Sequence, residues 1–275
     1  MDVDQVRSFN RTVTERIGAL QDSYLSSDRP LGADRVLWEI GDGTDLRALR
    51  NRLDLDSGYL SRLIASLQRE GLVATAPSTD KRVRAVTLTD AGRRERALLD
   101  RWSDELARSL LAPLSPAQRE RLVEAMGTVE RLLTAGLVEI VVEDPASADA
   151  RYCLGEYYRE LDARFDGGFE VARTLPADDA VLLVARLRGE PVGCGAIKAA
   201  SGDIKRMWVS PTTRGLGLGR RMLSELERYS ETGTARLETN RNLTEAIALY
   251  RAAGYVEVEP FNDEPYAHHW FQKRL

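Results

Sequence analysis

The segment Arg214-Gly215-Leu216-Gly217-Leu218-Gly219 carries the clearest chemistry in this sequence. Glycines at alternate positions leave backbone N–H groups unobstructed, and these groups, together with the N-terminus of a following helix, can bind a pyrophosphate. Arg214 and Arg220 add positive charge beside them. The Rossmann fingerprint differs, because it spaces its glycines G-x-G-x-x-G and places an acidic residue about 20 positions later. The spacing therefore predicts a phosphate-binding loop that does not serve a dinucleotide.

A second group of chemically suggestive residues lies between Ser57 and Arg96, where eight basic residues stand against four acidic ones. Such a local excess suits a phosphate backbone, although the whole chain carries a net charge of −4. The candidates for contact with double-stranded DNA are Ser57, Tyr59, Ser61 and Arg62 on a predicted helix, and Lys81 and Arg82 in a predicted turn.

The cysteines and histidines indicate neither a disulfide framework nor a metal site. Cys153 and Cys194 form no CxxC motif and lie far from His268 and His269 in the sequence. Cys194 stands inside a glycine-flanked strand without a partner histidine, so we expect it to pack. We expect no metal cofactor.

Length and composition bound the class of protein. A chain of 275 residues exceeds the usual size of one domain, and 43% hydrophobic with 30% charged residues is typical of an ordinary globular protein. No apolar run approaches the roughly 18 to 20 residues of a membrane span, and the N-terminus lacks the apolar core of a signal peptide. We expect two domains, a cytoplasmic protein and no membrane partner.

Helical spacing of apolar residues organises the N-terminal half. A first helix is predicted from Val3 to Leu25, and a shorter one follows with Asp34 as its N-cap. Thr44 is the expected N-cap of a third helix, and Asp56 or Ser57 begins a fourth. Two short helices joined by a tight turn, the second with a polar outer face, suit a helix-turn-helix that enters the major groove.

The wing follows this pair of helices. Gly71 is expected to end the fourth helix, residues 72–75 and 84–88 read as two strands, and the basic turn at 77–82 joins them. A long helix is predicted to begin at Thr89 near Asp90, and a last one after Ser115-Pro116. An arginine at the tip of such a hairpin suits the narrow minor groove.

These residues carry a resemblance to a known family. Leu72-Val73, Asp80-Lys81-Arg82, Leu88-Thr89 and Gly92, following the helix-turn-helix, resemble the winged-helix regulators of the MarR family over about residues 1–136. The resemblance implies a homodimer built from the terminal helices. It also implies that the recognition helix and the wing bind palindromic DNA, with Arg82 as the wing arginine.

The C-terminal half alternates strands and helices. Gly136 ends the preceding helix and residues 137–142 read as a strand, so the predicted domains are 1–136 and 137–275. The mixture predicts a mixed sheet flanked by helices. Further strands are expected at 180–188, 191–199, 204–209, 236–238 and around Trp270, and helices at 148–165, 219–231 and 244–253. The glycine loop then lies between a strand and a helix, where phosphate binding requires it.

The second resemblance rests on the loop and its neighbours. Arg214-x-x-Gly217-x-Gly219 follows Ile204-Lys205-Arg206-Met207-Trp208-Val209-Ser210-Pro211 and precedes Asn242, Ala246, Leu249-Tyr250 and Gly254-Tyr255. This pattern resembles the GNAT acetyltransferases over about residues 138–275. The implied fold class is therefore a mainly α winged helix-turn-helix domain followed by an α/β GNAT acyltransferase fold with a mixed sheet.

The GNAT resemblance also assigns roles. It implies acetyl-CoA as co-substrate, backbone groups of Met207 and Val209 for the carbonyl and pantetheine, and Tyr250 as the acid for the leaving thiolate. Asn242 would help to hold the cofactor arm. The phosphates would lie at Arg214, Gly215, Gly217, Gly219 and Arg220. A tyrosine at helical spacing from Ala246 and Leu249 can also simply pack, so both interpretations of Tyr250 stay open.

The acceptor side is less determined. The general base is open between Asp203, Glu238 and a water chain. Acidic and aromatic residues suggest a small cationic amine as acceptor, namely Asp162, Asp166, Asp263, Glu264 and Tyr266. No motif in the sequence identifies the acceptor or the operator sequence.

Three functions fit the sequence. The first is a DNA-binding transcriptional regulator that also N-acetylates a small amine with acetyl-CoA. The second is a regulator whose C-terminal domain is a non-catalytic sensor of acyl-CoA or another ligand. In the third, the winged unit serves only to dimerise the enzyme.

Overall fold

The computed structural model describes residues 2–18, 27–77, 84–173 and 179–275. The chain divides into two compact units, Met1–Ala125 and Met126–Leu275, and the division falls inside one helix, α6 (Pro116–Gly136). Each unit contains its own hydrophobic core. Two cores are what a chain of this length is expected to build.

The N-terminal unit is mainly helical, as predicted. Its helices before α6 are α1 (Asp2–Arg16), α2 (Leu31–Ile40), α3 (Leu46–Leu53), α4 (Ser57–Arg69) and α5 (Asp90–Leu111). α1 is shorter than expected, because the chain turns at Gly18, whose φ is +71°. The predicted end of this helix at Leu25 lies outside the described residues.

Two of the expected N-caps are wrong. Asp45 caps α3 by accepting a hydrogen bond from the Ala48 N–H at 2.7 Å, while Thr44 and Asp45 form a short strand, β1 (Thr44–Asp45). Asp34 lies inside α2, where it is buried and pairs with Arg29 at 2.8 Å. Because α2 begins at Leu31, Asp34 lies within its first turn and is buried there. A buried carboxylate needs a charged partner, and Arg29 provides one.

The wing is confirmed as a small antiparallel sheet. β2 (Val73–Pro77) and β3 (Arg84–Leu88) pair, β1 joins the other edge of β3, and the order is β1-β3-β2. Thr89 caps α5 through the Gly92 N–H, and a Cβ on Gly92 would lie 2.0 Å from the Leu72 carbonyl oxygen. Glycine is therefore required where α5 crosses the strand.

The terminal helices carry exposed apolar side chains. On α1 these are Val3, Val6 and Phe9, and on α6 they include Val123, Met126, Leu132 and Leu133. Neither helix has a buried residue among those described. Apolar surface of this extent on helices is typical of an interface.

The C-terminal unit is the predicted mixed sheet with helices. Its strands are β4 (Val138–Val142), β5 (Val181–Leu187), β6 (Glu190–Lys198), β7 (Asp203–Val209), β8 (Thr234–Thr239), β9 (Val256–Val258) and β10 (His269–Arg274). The order is β4-β5-β6-β7-β8-β10-β9, and only β7 and β8 pair in parallel within the described strands. The sequence did not predict β9, which has three residues.

Three helices cover the two faces of this sheet: α7 (Ala148–Arg164), α8 (Leu218–Glu227) and α9 (Thr244–Ala252). α8 and α9 share one core with the sheet, through Met222, Leu226 and Tyr250. α7 packs on a second cluster that includes Cys153, Cys194 and Trp208. β5 contributes to both clusters, as a strand covered on both faces must.

Candidate functional site

β7 and β8 separate along their length. In the described strands they pair at one position, Asp203 with Arg236, although each strand runs for at least six residues. β7 is bulged against β6, and Arg206 has a φ of +56°. A bulge re-aims a strand and ends regular pairing, so it explains a gap between two neighbouring strands.

The gap exposes backbone groups of β7. The Ser210 N–H bonds to the Val192 carbonyl on β6, so alternation along the strand turns the Val209 N–H towards the gap, and Met207, at the bulge, lines the cavity there. These are the two residues whose backbone was predicted to hold the donor. The parting of the strands thus provides free hydrogen-bonding groups in the middle of a sheet.

A cleft of about 590 Å³ runs from this gap to the glycine loop; we call it the donor cleft. It is walled by the ends of β7 and α9, by α7 and by the start of α8. Of the predicted site residues, those that line it are Met207, Val209, Arg214, Gly215, Gly217, Gly219, Arg220 and Tyr250. Residues far apart in sequence therefore share one cavity.

The three loop glycines have different structural roles. Gly215 and Gly217 have φ values of +81° and +74°, which only glycine adopts without strain. A Cβ on Gly219 would lie 3.1 Å from Leu249 on α9, so this glycine permits close packing. Gly217 caps α8 without a side-chain hydrogen bond from the described residues, which leaves the first N–H groups of the helix available to an anion.

Acidic residues on α7 and α9 neutralise part of the positive charge at this loop. The Arg214 guanidinium donates to both oxygens of Glu160, at 2.7 and 2.5 Å. Glu160 also accepts from Trp208 at 3.0 Å and from Arg164 at 3.2 Å. Arg164 reaches Glu245 on α9 at 2.7 Å. A bound phosphate would therefore share Arg214 with Glu160 or replace it.

Asn242 does not line the donor cleft. Its side-chain amide donates to the Arg164 carbonyl at 2.8 Å, and its own carbonyl accepts from the Arg164 guanidinium at 2.6 Å. Asn242 therefore fastens the start of α9 to the end of α7, and any effect on a donor arm acts through these two helices.

Tyr250 lies where the donor cleft meets a second, smaller cavity. It lines both and is 7% exposed. Burial raises the pKa of its hydroxyl, and the negative charge of Glu238 raises it further. No hydrogen bond joins this hydroxyl to another of the described residues. The phenol is therefore protonated at neutral pH and available as a proton donor.

Tyr157 on α7 is a second tyrosine at the same junction. It also lines both cavities, and burial raises its pKa well above the ordinary value. The sequence did not single it out, because α7 lies about 90 residues from Tyr250 along the chain and carries no motif. Two protonated phenols therefore face the point where the cavities join.

The second cavity, which we call the acceptor pocket, has a volume of about 110 Å³. Aromatic rings form one wall: Phe169 lies 5.8 Å from Tyr158, 5.7 Å from Phe165 and 4.9 Å from Tyr266, measured between ring centroids. The Tyr266 hydroxyl accepts from the Glu170 N–H at 2.9 Å, which ties the loop before β10 to the segment after α7. Ring contacts and this hydrogen bond thus hold the aromatic wall together.

The opposite side of the acceptor pocket is charged. Lys205 donates to Glu238 and lies 4.0 Å from Glu264, and these three side chains are about 10% exposed. Glu238 also accepts from Asn262 at 3.2 Å. Of the two carboxylates considered as the base, Glu238 lines this pocket, whereas Asp203 pairs with Arg236 and lines neither cavity.

The remaining candidates are less suited to chemistry. Cys194 is buried, and its hydrogen bond with Cys153 together with burial raises the pKa of its thiol, which disfavours the reactive thiolate. His269 pairs with Glu257 at 2.6 Å on the outer edge of the sheet. Asp162 bonds to the Phe169 N–H at 2.9 Å, and Asp166 pairs with Arg241.

The predicted DNA-contacting residues form two groups, one on α4 and one in the wing, and the structure describes only the group on α4. Leu60, Leu63, Ile64 and Leu67 bury one face of α4, and Ser57, Tyr59, Ser61 and Arg62 are exposed on the other. The Arg62 guanidinium lies 5.7 Å from the centre of the Tyr59 ring. Lys81 and Arg82 lie outside the described residues. α4 therefore presents a polar, basic face, as a recognition helix does.

Neither a metal site nor a membrane-spanning helix is present in the described ranges. No group of three His, Cys, Asp or Glu side chains within them is placed to hold a metal ion. None of the helices described there combines the length and apolar character needed to cross a bilayer.

Comparison with known proteins matches both units. A family model described as an acetyltransferase (GNAT) domain matches residues 178–257, and one described as a winged helix DNA-binding domain matches residues 34–92. The chain is 42% identical over 96 residues to a protein of Azospirillum brasilense named IAA acetyltransferase. That match covers 32% of this chain and 63% of the relative, so it spans less than two thirds of that protein.

Two solved structures are similar to different halves of the chain. An acetyltransferase of the GNAT family from Staphylococcus aureus is 13% identical, with 50% of this chain and 98% of that chain covered and a TM-score of 0.41. Wild-type MarR from E. coli is 22% identical, with 45% of this chain and 93% of that chain covered and a TM-score of 0.40.

Proposed function

Because the chain joins a winged helix DNA-binding domain to an acetyltransferase domain of the GNAT family, we propose that it is a bifunctional protein. One part is a DNA-binding transcriptional regulator, comprising about residues 1–136. The other, about residues 137–275, is an N-acetyltransferase that uses acetyl-CoA to acetylate a small amine. The protein is proposed to act in the cytoplasm as a homodimer.

One observation carries the enzymatic proposal. Tyr250 stands at the junction of two cavities, one lined by the glycine loop and by the free backbone of β7, the other by acidic and aromatic side chains. A donor with a pyrophosphate fits the first cavity, because the loop and the start of α8 offer N–H groups. An amine fits the second. Acetyl transfer requires this juxtaposition of the two substrates.

The chemistry follows from the residues present. We assign polarisation of the thioester carbonyl to backbone N–H groups of Met207 and Val209, two residues of β7 that line the donor cleft. The lone pair of a neutral amine attacks the carbonyl carbon, and the carbon–sulfur bond breaks. Glu238, directly or through a water, takes the proton that nitrogen loses, and Tyr250 gives a proton to the leaving thiolate. From the neutral amine, one proton leaves nitrogen and one reaches sulfur; the ammonium form gives up its additional proton to solvent before the attack.

The test is steady-state release of free CoA thiol from acetyl-CoA in the presence of a panel of small amines. We expect saturable turnover with at least one amine. Tight CoA binding with no turnover across the panel would contradict the enzymatic proposal and leave the domain as a ligand-binding module.

The DNA-binding proposal rests on the exposed basic face of α4 and on its basic wing. The exposed apolar residues of α1 and α6 support a dimer, which a palindromic operator would match. Arg62→Ala and Arg82→Ala should each lower affinity for a selected operator and reduce its salt dependence. Unchanged DNA affinity in both variants, in a protein that is dimeric, would favour a winged unit that only dimerises the enzyme.

A second candidate function is a sensor of acyl-CoA, and the Arg214–Glu160 pair favours it. A bound pyrophosphate would change the partners of Arg214 and so alter the contact between the loop and α7. If this reached the operator-binding surface, acetyl-CoA and DNA would change each other's affinity by the same factor. Equal operator affinity with and without acetyl-CoA would reject this function.

A further inference from the structure

Arg206 is an unexpected residue for its position. It stands at the bulge of β7 with a φ of +56°, in the left-handed region that favours glycine. Glycine would form the same bulge without strain. An arginine kept in a strained backbone conformation beside a site suggests that its side chain has a task there.

The surroundings of Arg206 indicate what that task is. Arg206 lines the acceptor pocket and is absent from the lining of the donor cleft, where Arg214 and Arg220 serve the phosphates. Its neighbour Lys205 is already paired with Glu238. By contrast, no hydrogen bond or ion pair links the Arg206 guanidinium to any residue in the described ranges. A guanidinium in this state is suited to a planar anion such as a carboxylate.

We propose that the acceptor is an amino acid, and that Arg206 binds its carboxylate. This inference rests on the acetyltransferase function proposed above and specifies its substrate class. Arg206 adjoins Met207, which lines both the acceptor pocket and the donor cleft, so the carboxylate would lie close to the reacting nitrogen. An α-amino acid has this arrangement.

The remaining walls limit the side chain of the acceptor. Phe169 and Tyr266 offer an apolar surface, and Glu264 and Glu238 offer negative charge to the incoming ammonium. The pocket volume of about 110 Å³ is smaller than the roughly 150 Å³ cavity known to take up a benzene. A compact apolar side chain therefore fits better than a large one.

The experiment compares each amino acid with the amine that remains when its carboxylate is removed. Suitable pairs are L-valine with isobutylamine, L-leucine with 3-methylbutylamine and L-phenylalanine with 2-phenylethylamine, within a panel of the common L-amino acids. Release of CoA thiol gives kcat/KM, and calorimetry in the presence of CoA gives binding. We expect the wild-type protein to favour the amino acid of its best pair by about 10- to 100-fold.

Arg206→Gly is the decisive variant, because glycine keeps the bulge and removes only the guanidinium. We expect it to lose the preference for the amino acid, mainly through KM, while kcat/KM for the matched amine and the melting temperature stay close to wild type. Arg206→Lys should restore part of the preference. Arg241→Gln, on an exposed arginine that lines neither cavity, is the control for loss of one positive charge.

The outcomes separate this inference from the proposed function. Turnover of amines without a preference for their amino acids, unchanged in Arg206→Gly, would overturn the inference and keep the enzyme. Amino acid binding that Arg206→Gly abolishes, without any turnover, would support carboxylate binding by Arg206 but reject both the enzyme and the amino acid as its acceptor. Neither binding nor turnover of any amino acid would overturn the inference.

Discussion

The donor cleft and the acceptor pocket meet at Tyr250 but are built from different parts of the chain. The donor cleft presents mainly backbone: N–H groups of the glycine loop, of the start of α8 and of the free edge of β7. The acceptor pocket presents side chains from α7, β7, β8 and the loop before β10. A site formed by backbone groups depends on the φ and ψ angles of its own residues. A site formed by side chains depends on which residues the fold brings together. Substitutions should therefore affect the two cavities in different ways.

Tyr250→Phe should have the largest effect, because Tyr250 serves both cavities. Removing the proposed proton donor to the thiolate is expected to lower kcat by about 10²- to 10⁴-fold, with small changes in both KM values. Steady-state release of CoA thiol measures this. Tyr157→Phe is the matched control at the same junction and should lower kcat far less. The reverse order would make Tyr157 the acid.

Gly217→Ala tests whether the donor cleft depends on backbone conformation. Alanine disfavours the left-handed conformation by about 1–2 kcal/mol, and restoring that conformation when acetyl-CoA binds should raise its KM by roughly 5- to 30-fold. KM for the acceptor should not change. Gly233→Ala is the control, since Gly233 also has a positive φ of +66° and free space around its Cα but lies away from both cavities. An equal rise in both variants would refute the distinction.

Tyr266→Phe tests the acceptor pocket with a smaller change. It removes the hydroxyl that accepts from the Glu170 N–H, a contact worth about 0.5–1.5 kcal/mol, so KM for the acceptor should rise by roughly 2- to 12-fold. KM for acetyl-CoA should stay constant. Tyr229→Phe, on an exposed tyrosine that lines neither cavity, should change nothing. A shift in the acetyl-CoA KM would show that the two cavities are not independent.

The pH profile of kcat should show the smallest effect. Burial and Glu238 raise the pKa of Tyr250, so its hydroxyl keeps its proton beyond the ordinary tyrosine pKa of about 10. The acid form is therefore fully present below that pH and is lost only above it. We expect no alkaline loss of kcat between pH 7 and about 9.5. A decline there that Tyr250→Phe abolishes would mean that the pKa is not raised.

The fold was largely predictable because its signals are local. The four buried residues of α4 repeat at helical spacing, and α5 begins where predicted, with Thr89 as its N-cap. The wrong predictions concern local conformations that tertiary contacts override. Thr44 joins a strand because β3 offers a partner, and Asp34 is buried because Arg29 neutralises it. Strand β9 is too short for a period-two pattern to reveal it.

The site was predictable only in part. Glycines at 215, 217 and 219 mark the loop, because positive φ values and close packing restrict the residue type at single positions. Glu160 and Arg206 were missed. Glu160 meets Arg214 across 54 residues, and the proposed role of Arg206 depends on a bulge that only pairing with β6 creates.

The sequence by itself determined the helix-turn-helix and the glycine loop and marked Tyr250 as a candidate, because each depends on residue types at short, regular spacing. Only the tertiary structure decided that β7 and β8 part, that Lys205 joins Glu238 and Glu264, and that Arg206 lines the acceptor pocket with its guanidinium unpaired among the described residues. Such features depend on which distant segments become neighbours. That choice is made by packing of the whole sheet and its helices, and no local pattern encodes it.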